Sequence, residues 1–513
     1  MSVLNGLSIL IQELGKLLTP EIILAICIST SLGIVIGALP GLTATMGIAL
    51  LTGFTYTMST EIAIPVLMGV YVGAIYGGSI SAVLINIPGT GAAAATALDG
   101  FPLAQRGEAL NALWVTRVGS AIGTVIGLFC LVGFAPLISQ VAEKYFASPE
   151  FFLLAVFGIV ICGSLTAEDK PIKGWISGMI GIFVSFVGIE TIYGYQRFVY
   201  GNYNLLGGIQ FVPAMIGVFG IPQVISTLRS GKKDFVIIDV NKSKKKDGNV
   251  WQILKGNWWN IIRSGLMGVG IGSIPGVGED IAAWMSYDRA KKASKHPEEF
   301  GKGSYEALIA SETANNACIG GSIIPLLTLA VPGSAPCAVL LGALYLHNVR
   351  PGPMLTVENP TFTYHMTAIL VIATIALMIF GVLLSSVMVK VLRVKPGILM
   401  PIVGALCVIG SYAINVSRFD IKVMLLFGIV GYFLVEMKYP VAPLILGAIL
   451  GPLADENFRR TMLTYGGSIK PFFTRPVALI FTILIIVSIL SQFSFWKKGM
   501  SAIRGAIFKK KSV

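Results

Sequence analysis

Acidic and amide side chains stand where an apolar chain has little reason to keep them. Glu279 and Asp280 follow directly on "GSIPGVG" (272–278), and Glu312, Asn315 and Asn316 fall at i, i+3 and i+4, on one helix face. An ionised carboxylate at the bilayer centre costs about 2.5–3.5 kcal/mol even on insertion scales, so such groups are expected to border water or to neutralise a cation. A carboxylate and two amides on one face offer the oxygen ligands that a hard ion such as Na+ takes. Glu279, Asp280, Glu312, Asn315 and Asn316 are therefore candidate cation ligands. A surface pair at a segment's end, for the first two, and an interhelical hydrogen-bond network, for the other three, are the plainer alternatives.

A second set of residues could hold an anion. Thr43 and Thr45 follow "GALPG" (37–41), Ser79 and Ser81 sit in "GGSIS", and Asn86 precedes "IPGTG" (87–91). Short hydroxyls and free backbone N–H groups around a helix break suit carboxylate binding. The candidates are Gly41, Thr43, Ser79, Pro88, Gly89, Thr90, Gly276, Ser322, Pro332, Gly333 and Ser334. Close helix packing by small residues is the competing role for each. Arg106 and Arg117 are open to the same chemistry, or to an interfacial ion pair with Asp99 or Glu108. The three histidines form no cluster, and the six cysteines stand alone in apolar runs without metal-type spacing, so they read as small hydrophobes. No catalytic constellation emerges.

The elements that must position these groups are membrane helices. The chain has 513 residues, 55% of them hydrophobic and 12% charged, with mean hydropathy +0.80; soluble domains carry about 25% charged residues. A spanning helix takes roughly 20 apolar residues. About a dozen runs qualify: 21–39, 42–58, 62–87, 109–139, 150–167, 174–190, 205–227, 307–331, 363–391, 398–414, 420–435 and 475–496. Lipid leaves an open strand edge unsatisfied, so an all-α polytopic membrane protein is expected. Residues 1–20 read as an amphipathic interfacial segment. The net charge of +13 arises in connecting segments, so it marks cytoplasmic loops, and no nucleic-acid partner is inferred. The largest basic segment, 228–263, holds nine Lys/Arg against three Asp.

That segment separates two similar halves, 21–227 and 264–496, ahead of a basic tail over 497–513. "GIVIGALPGLTATMG" (33–47) aligns with "GVGIGSIPGVGEDIA" (268–282), and "IPGT" (87–90) with "VPGS" (331–334). Gly77, Gly78 and Ser79 align with Gly320, Gly321 and Ser322 if one residue is inserted. Matched Gly/Pro breaks in duplicated halves point to a secondary transporter's site. An interrupted helix exposes an N-terminus of roughly +0.5 charge, with N–H groups able to hold an anion. A mere kink is the alternative for any single break. Segment 264–285 lies between two lysine-rich loops read as cytoplasmic and holds six glycines and Pro275 in its 22 residues, so it is expected to dip in and return as a re-entrant hairpin. GxxxxGK[ST], HExxH, GxSxG and TVGYG are absent, so the sequence offers no nucleotide-hydrolysis, protease, esterase or potassium-filter signature.

"GALPGLTATMGIALL", "YGGSISAVLINIPGTGAAAATALDGFPLAQRGEA", "SIPGVGEDIAAWMSY" and "ETANNACIGGSIIPLLTLAVPGSAPCAVLLGAL" closely resemble the large membrane subunit of tripartite tricarboxylate transporters, the TctA family, over about residues 20–490. The resemblance implies a bacterial inner-membrane carrier of about twelve spans. It further implies a small four-span membrane subunit, a periplasmic or lipid-anchored solute-binding protein, and import of di- or tricarboxylates such as citrate, driven by Na+ or H+ with no other cofactor. A binding-protein-independent organic-anion permease and a passive anion channel are the alternatives.

Overall fold

The computed structural model describes residues 3–166, 170–229, 238, 250–394 and 396–492. Most of the basic linker expected over 228–263, and all of the basic tail over 497–513, lie outside the described residues. In chain order the helices are α1 (Val3–Leu17), α2 (Pro20–Ala38), α3 (Ala44–Thr55), α4 (Thr60–Ile85), α5 (Ala94–Leu103), α6 (Ala109–Tyr145), α7 (Ser148–Thr166), α8 (Pro171–Ser185), α9 (Phe211–Arg229), α10 (Val250–Gly256) and α11 (Trp258–Gly272). There follow α12 (Gly278–Ala293), α13 (Tyr305–Leu329), α14 (Ala335–Leu346), α15 (Pro353–Glu358), α16 (Phe362–Leu383), α17 (Ser385–Val391), α18 (Pro396–Asn415), α19 (Arg418–Glu436), α20 (Val441–Thr464), α21 (Pro471–Thr474) and α22 (Pro476–Leu490). Among the described residues, seven helices are long and apolar enough to cross a membrane. The chain is an all-α, multi-pass membrane protein.

Its residues divide into two units, Met1–Glu143 with Gln210–Phe433, and Lys144–Ile209 with Leu434–Val513. In the first unit α4 is apolar on every face and buried from Ala63 to its end, save Val66, as a core helix must be. α2 packs along α4, and α11 packs along α13, with glycine at matching contacts. Gly33 and Gly37 lie on the backbone of Val70 and Ala74, and Gly268 and Gly272 on that of Ala314 and Cys318. α1 packs on α16, where Glu13 meets Lys16 at 2.6 Å and His365 Nδ1 at 2.9 Å.

Helix starts follow the capping residues. Thr19 accepts from Ile22 N ahead of α2, with Pro20 in the first turn; Thr43 accepts from Met46 N, Ser304 from Ala307 N, and Ser334 from Cys337 N. Both long core helices end in a left-handed residue, Asn86 (φ 56) after α4 and Ala330 (φ 58) after α13. From α5 the chain turns into α6 through a kink at Gly107 (φ 83).

In the second unit α20 packs between α7 and α8, and α22 lies on α7. α20 is not among the apolar runs named from the sequence, and Asp455, Glu456, Arg459 and Arg460 charge its second half. Those charges have partners. Arg197, on a two-stranded hairpin (β1 Gly188–Ile189, β2 Gln196–Arg197), meets Asp455 at 2.8 Å, and Arg459 meets Asp455 at 2.9 Å. Glu190, at the hairpin's tip, accepts from the N–H groups of Ile192 and Tyr193, both at 2.8 Å. Burial pushes its carboxyl up, but those N–H groups, with Arg459 and Arg197, outweigh burial and hold it below the usual carboxylate range.

Candidate functional site

All sixteen candidate ligands lie in the first unit, on four helix breaks and the helices beside them. The first break, Leu39–Thr43, turns at Gly41 (φ 95), and the third, Ser273–Val277, at Gly276 (φ 71), backbone that suits glycine. Within each half the two breaks touch. A methyl group at Gly89 would collide with the carbonyl oxygen of Gly37, and one at Gly333 with that of Gly272. Gly89 N donates to Gly78 O and Gly333 N to Ser322 O, each at 3.4 Å. The third and fourth breaks are also joined by Gly276 N to Pro332 O and Gly278 N to Gly333 O, both at 3.1 Å.

The contacts fix how the halves correspond. Gly77 abuts Ile34 O, and Gly321 abuts Val269 O. By these contacts Gly77 matches Gly321 and Gly78 matches Ser322, one residue on from the pairing that sequence similarity suggests, and no insertion is needed between these helices and their breaks. The difference in spacing falls earlier, in the connection from the first break to the second core helix. It is longer in the second half, where α12 and the 294–304 loop are extended.

The turn that follows the second break and α12 meet at one carboxylate. Asp280 keeps an exposed edge and lies against Gly91, at the start of the short helical turn that leads into α5. Glu279, next to it, is enclosed by Tyr71 of α4, whose hydroxyl donates to its carboxylate and lies 3.0 Å from Ser334 Oγ. Thr43 and Ser334 serve as helix caps. Thr90 instead leaves its buried hydroxyl without a partner, against Gly78.

Glu312 is fully enclosed in a separate cluster. Ser79 Oγ donates to it at 2.6 Å, Ser120 Oγ at 2.9 Å, and Thr96 Oγ1 shares the oxygen that Ser79 uses. One turn on, Asn316 Nδ2 reaches Thr124 Oγ1 at 3.3 Å, while Asn316 Oδ1 and both polar atoms of Asn315 are buried without partners. Unpaired buried amides each forgo about 1–3 kcal/mol. The two carboxylates share no partner. Asp99 takes neither arginine: it accepts from the N–H groups of Gly301, Gly303 and Ser304 and from Tyr287 Oη. Arg106 donates to Lys302 O.

Tyr71, Thr96, Ser120 and Thr124 were not legible as site residues. A signal for the last two exists in "GSAIGTVIG" (119–127). Gly119, Gly123 and Gly127 repeat every fourth residue and bring α6 onto the α13 backbone, placing the neighbouring hydroxyls beside Glu312 and Asn316.

Residues 23–446 match the family described as Tripartite tricarboxylate transporter TctA family. The chain is 36% identical over 465 residues, 90% of its length and 91% of the relative's, to the "Uncharacterized 52.8 kDa protein in TAR-I ttuC' 3'region" of Agrobacterium vitis. It is 37% identical over 208 residues, 40% of its length and 86% of the relative's, to the "Uncharacterized protein in TAR-II ttuC' 3'region" of the same organism. No solved structure matches.

Proposed function

Because the chain belongs to the tripartite tricarboxylate transporter TctA family, we propose that it is the membrane permease of a cation-coupled, binding-protein-dependent importer of di- and tricarboxylates such as citrate. In this reading it sits in the bacterial inner membrane as about twelve spans in two repeats. A small four-span subunit and a periplasmic or lipid-anchored solute-binding protein work with it, and Na+ or H+ drives it.

One observation carries the reading: the Gly/Pro breaks touch pairwise in each half, and an exposed carboxylate, Asp280, stands where the first half meets the second. Four helix N-termini, those of α3, α5, α12 and α14, begin at these breaks and favour negative charge. Beside them Glu279, Asp280, Glu312, Asn315 and Asn316 supply oxygens to a cation. Energetics require both. Bringing a dianion into an interior about 150 mV negative costs roughly 7 kcal/mol, which two co-transported cations cancel and a third turns favourable. The binding protein contributes capture, not driving force.

The test is reconstitution of the chain with its partner subunits and measurement of labelled citrate uptake under imposed Na+ and pH gradients. Accumulation above equilibrium that follows one cation gradient supports the proposal. Uptake that never exceeds equilibrium identifies a passive channel and overturns it. Full accumulation without a binding protein overturns the tripartite part alone.

A further inference from the structure

Resting on the carboxylate-transport reading, we propose that Arg117, with Tyr76, grips one carboxylate of the transported anion, one helical turn from Glu312. Arg117 lies on α6 at 2% exposure, its guanidinium carbon 3.8 Å from the centre of the Trp114 ring. Its Nε and Nη2 have no hydrogen-bond partner, and neither has the Tyr76 hydroxyl, which is fully buried on α4. The two side chains meet around Gly381 of α16, within 3.0 Å of where a methyl group there would stand. The hydroxyl and the guanidinium interact only weakly, outside good hydrogen-bond geometry, and no carboxylate among the described residues pairs with the arginine.

A guanidinium stays protonated at any physiological pH. Burying it with two of its nitrogens unused and no carboxylate beside it leaves a charge uncompensated, which is costly until an anion arrives. Glu312 does not pair with the arginine: its hydrogen bonds come from Ser79, Thr96 and Ser120. Position supports a shared site. Tyr76 and Ser79 are three residues apart on α4, and Arg117 and Ser120 are three apart on α6; both serines donate to Glu312. The arginine–tyrosine pair therefore stands about 4.5 Å along the helices from the Glu312 cluster. A planar guanidinium fork matches a carboxylate bidentately, the Tyr76 hydroxyl adds a donor, and Trp114 holds the fork's plane. The pairing also couples the two solutes. An uncompensated Glu312 attracts the arginine and repels an arriving carboxylate; a cation on Glu312 removes both effects.

The experiment is thermal melting of the purified full-length chain against citrate and succinate, with and without Na+ and at two pH values. Wild type is expected to be stabilised by a tricarboxylate more strongly when the coupling cation is present. Arg117→Gln should raise the citrate concentration for half-maximal stabilisation roughly tenfold to a hundredfold, and Tyr76→Phe about fivefold. Arg117→Lys, which keeps the charge but not the fork, should fall between wild type and Arg117→Gln. An arginine of purely structural value would lower the ligand-free melting temperature and leave the citrate dependence unchanged, which overturns the assignment. If Arg117→Gln does not fold, Tyr76→Phe decides, because it keeps the ring and the arginine. A wild-type chain that responds to neither citrate nor succinate overturns the carboxylate reading and this assignment with it. Wild-type response with unaltered variants overturns the assignment alone.

Discussion

The carboxylate of Asp280 stands against the α-carbon of Gly91, so the acid that follows the third break is seated at the turn that follows the second. Any side chain at position 91 would enter the space that Asp280 occupies. Gly91→Ala is therefore expected to displace Asp280 and to cut citrate uptake about tenfold at unchanged membrane abundance. Gly91→Ala protein with wild-type uptake kinetics would show that the contact is idle.

The contacts between breaks are backbone against backbone, with no side chain free to yield. Gly89→Ala drives a methyl group into Gly37 O, and Gly333→Ala drives one into Gly272 O. Each should lower the melting temperature by several degrees and deplete the protein from the membrane, as overpacking a buried contact costs about 1–3 kcal/mol. Gly133→Ala, on α6 with nothing within 4 Å, is the control and should be neutral or slightly stabilising. Equal melting temperatures for all three would contradict the packing.

Cation dependence should respond to the buried acids and amides before abundance does. Glu279→Gln keeps the shape that Tyr71 and Ser334 enclose, and Asn316→Ala removes an amide whose oxygen has no partner. Either is expected to shift the Na+ or H+ concentration for half-maximal uptake by about tenfold. Unaltered ion dependence in both variants would remove these residues from the cation site.

The hairpin carries a pH signature of its own. Because the Glu190 carboxyl is held below its ordinary value of 4.5, its contribution is present above pH 4.5 and is lost as pH falls through the lower folded-state value. Glu190→Gln should therefore speed amide exchange at Ile192 and Tyr193 relative to wild type at neutral pH. That difference should close in acid, once wild-type Glu190 is protonated. A difference that persists unchanged to pH 3 would exclude the charge as its cause.

Helix breaks were readable because glycine and proline act locally, through backbone conformation and a missing donor. Hydrogen-bond partners were not. Ser79 looked like a substrate hydroxyl, and the structure aims it at Glu312, 233 residues away. Asp99 looked like an arginine's partner, and loop N–H groups claim it instead. α20 carries charges that lower its mean hydropathy, and only the structure shows the hairpin's arginine and its own Arg459 neutralising Asp455. A one-dimensional pattern records which side chains are apolar; it does not record which distant group cancels a charge.

The glycines that seat α2 on α4 mesh the two helices like gear teeth. Gly37 admits the carbonyl of Ala74, and Gly77 admits that of Ile34. Sliding one helix past the other would push a bulkier residue into a gap sized for hydrogen. Two rods meshed in this way are expected to move together as one rigid piece in any rearrangement of the unit that holds them.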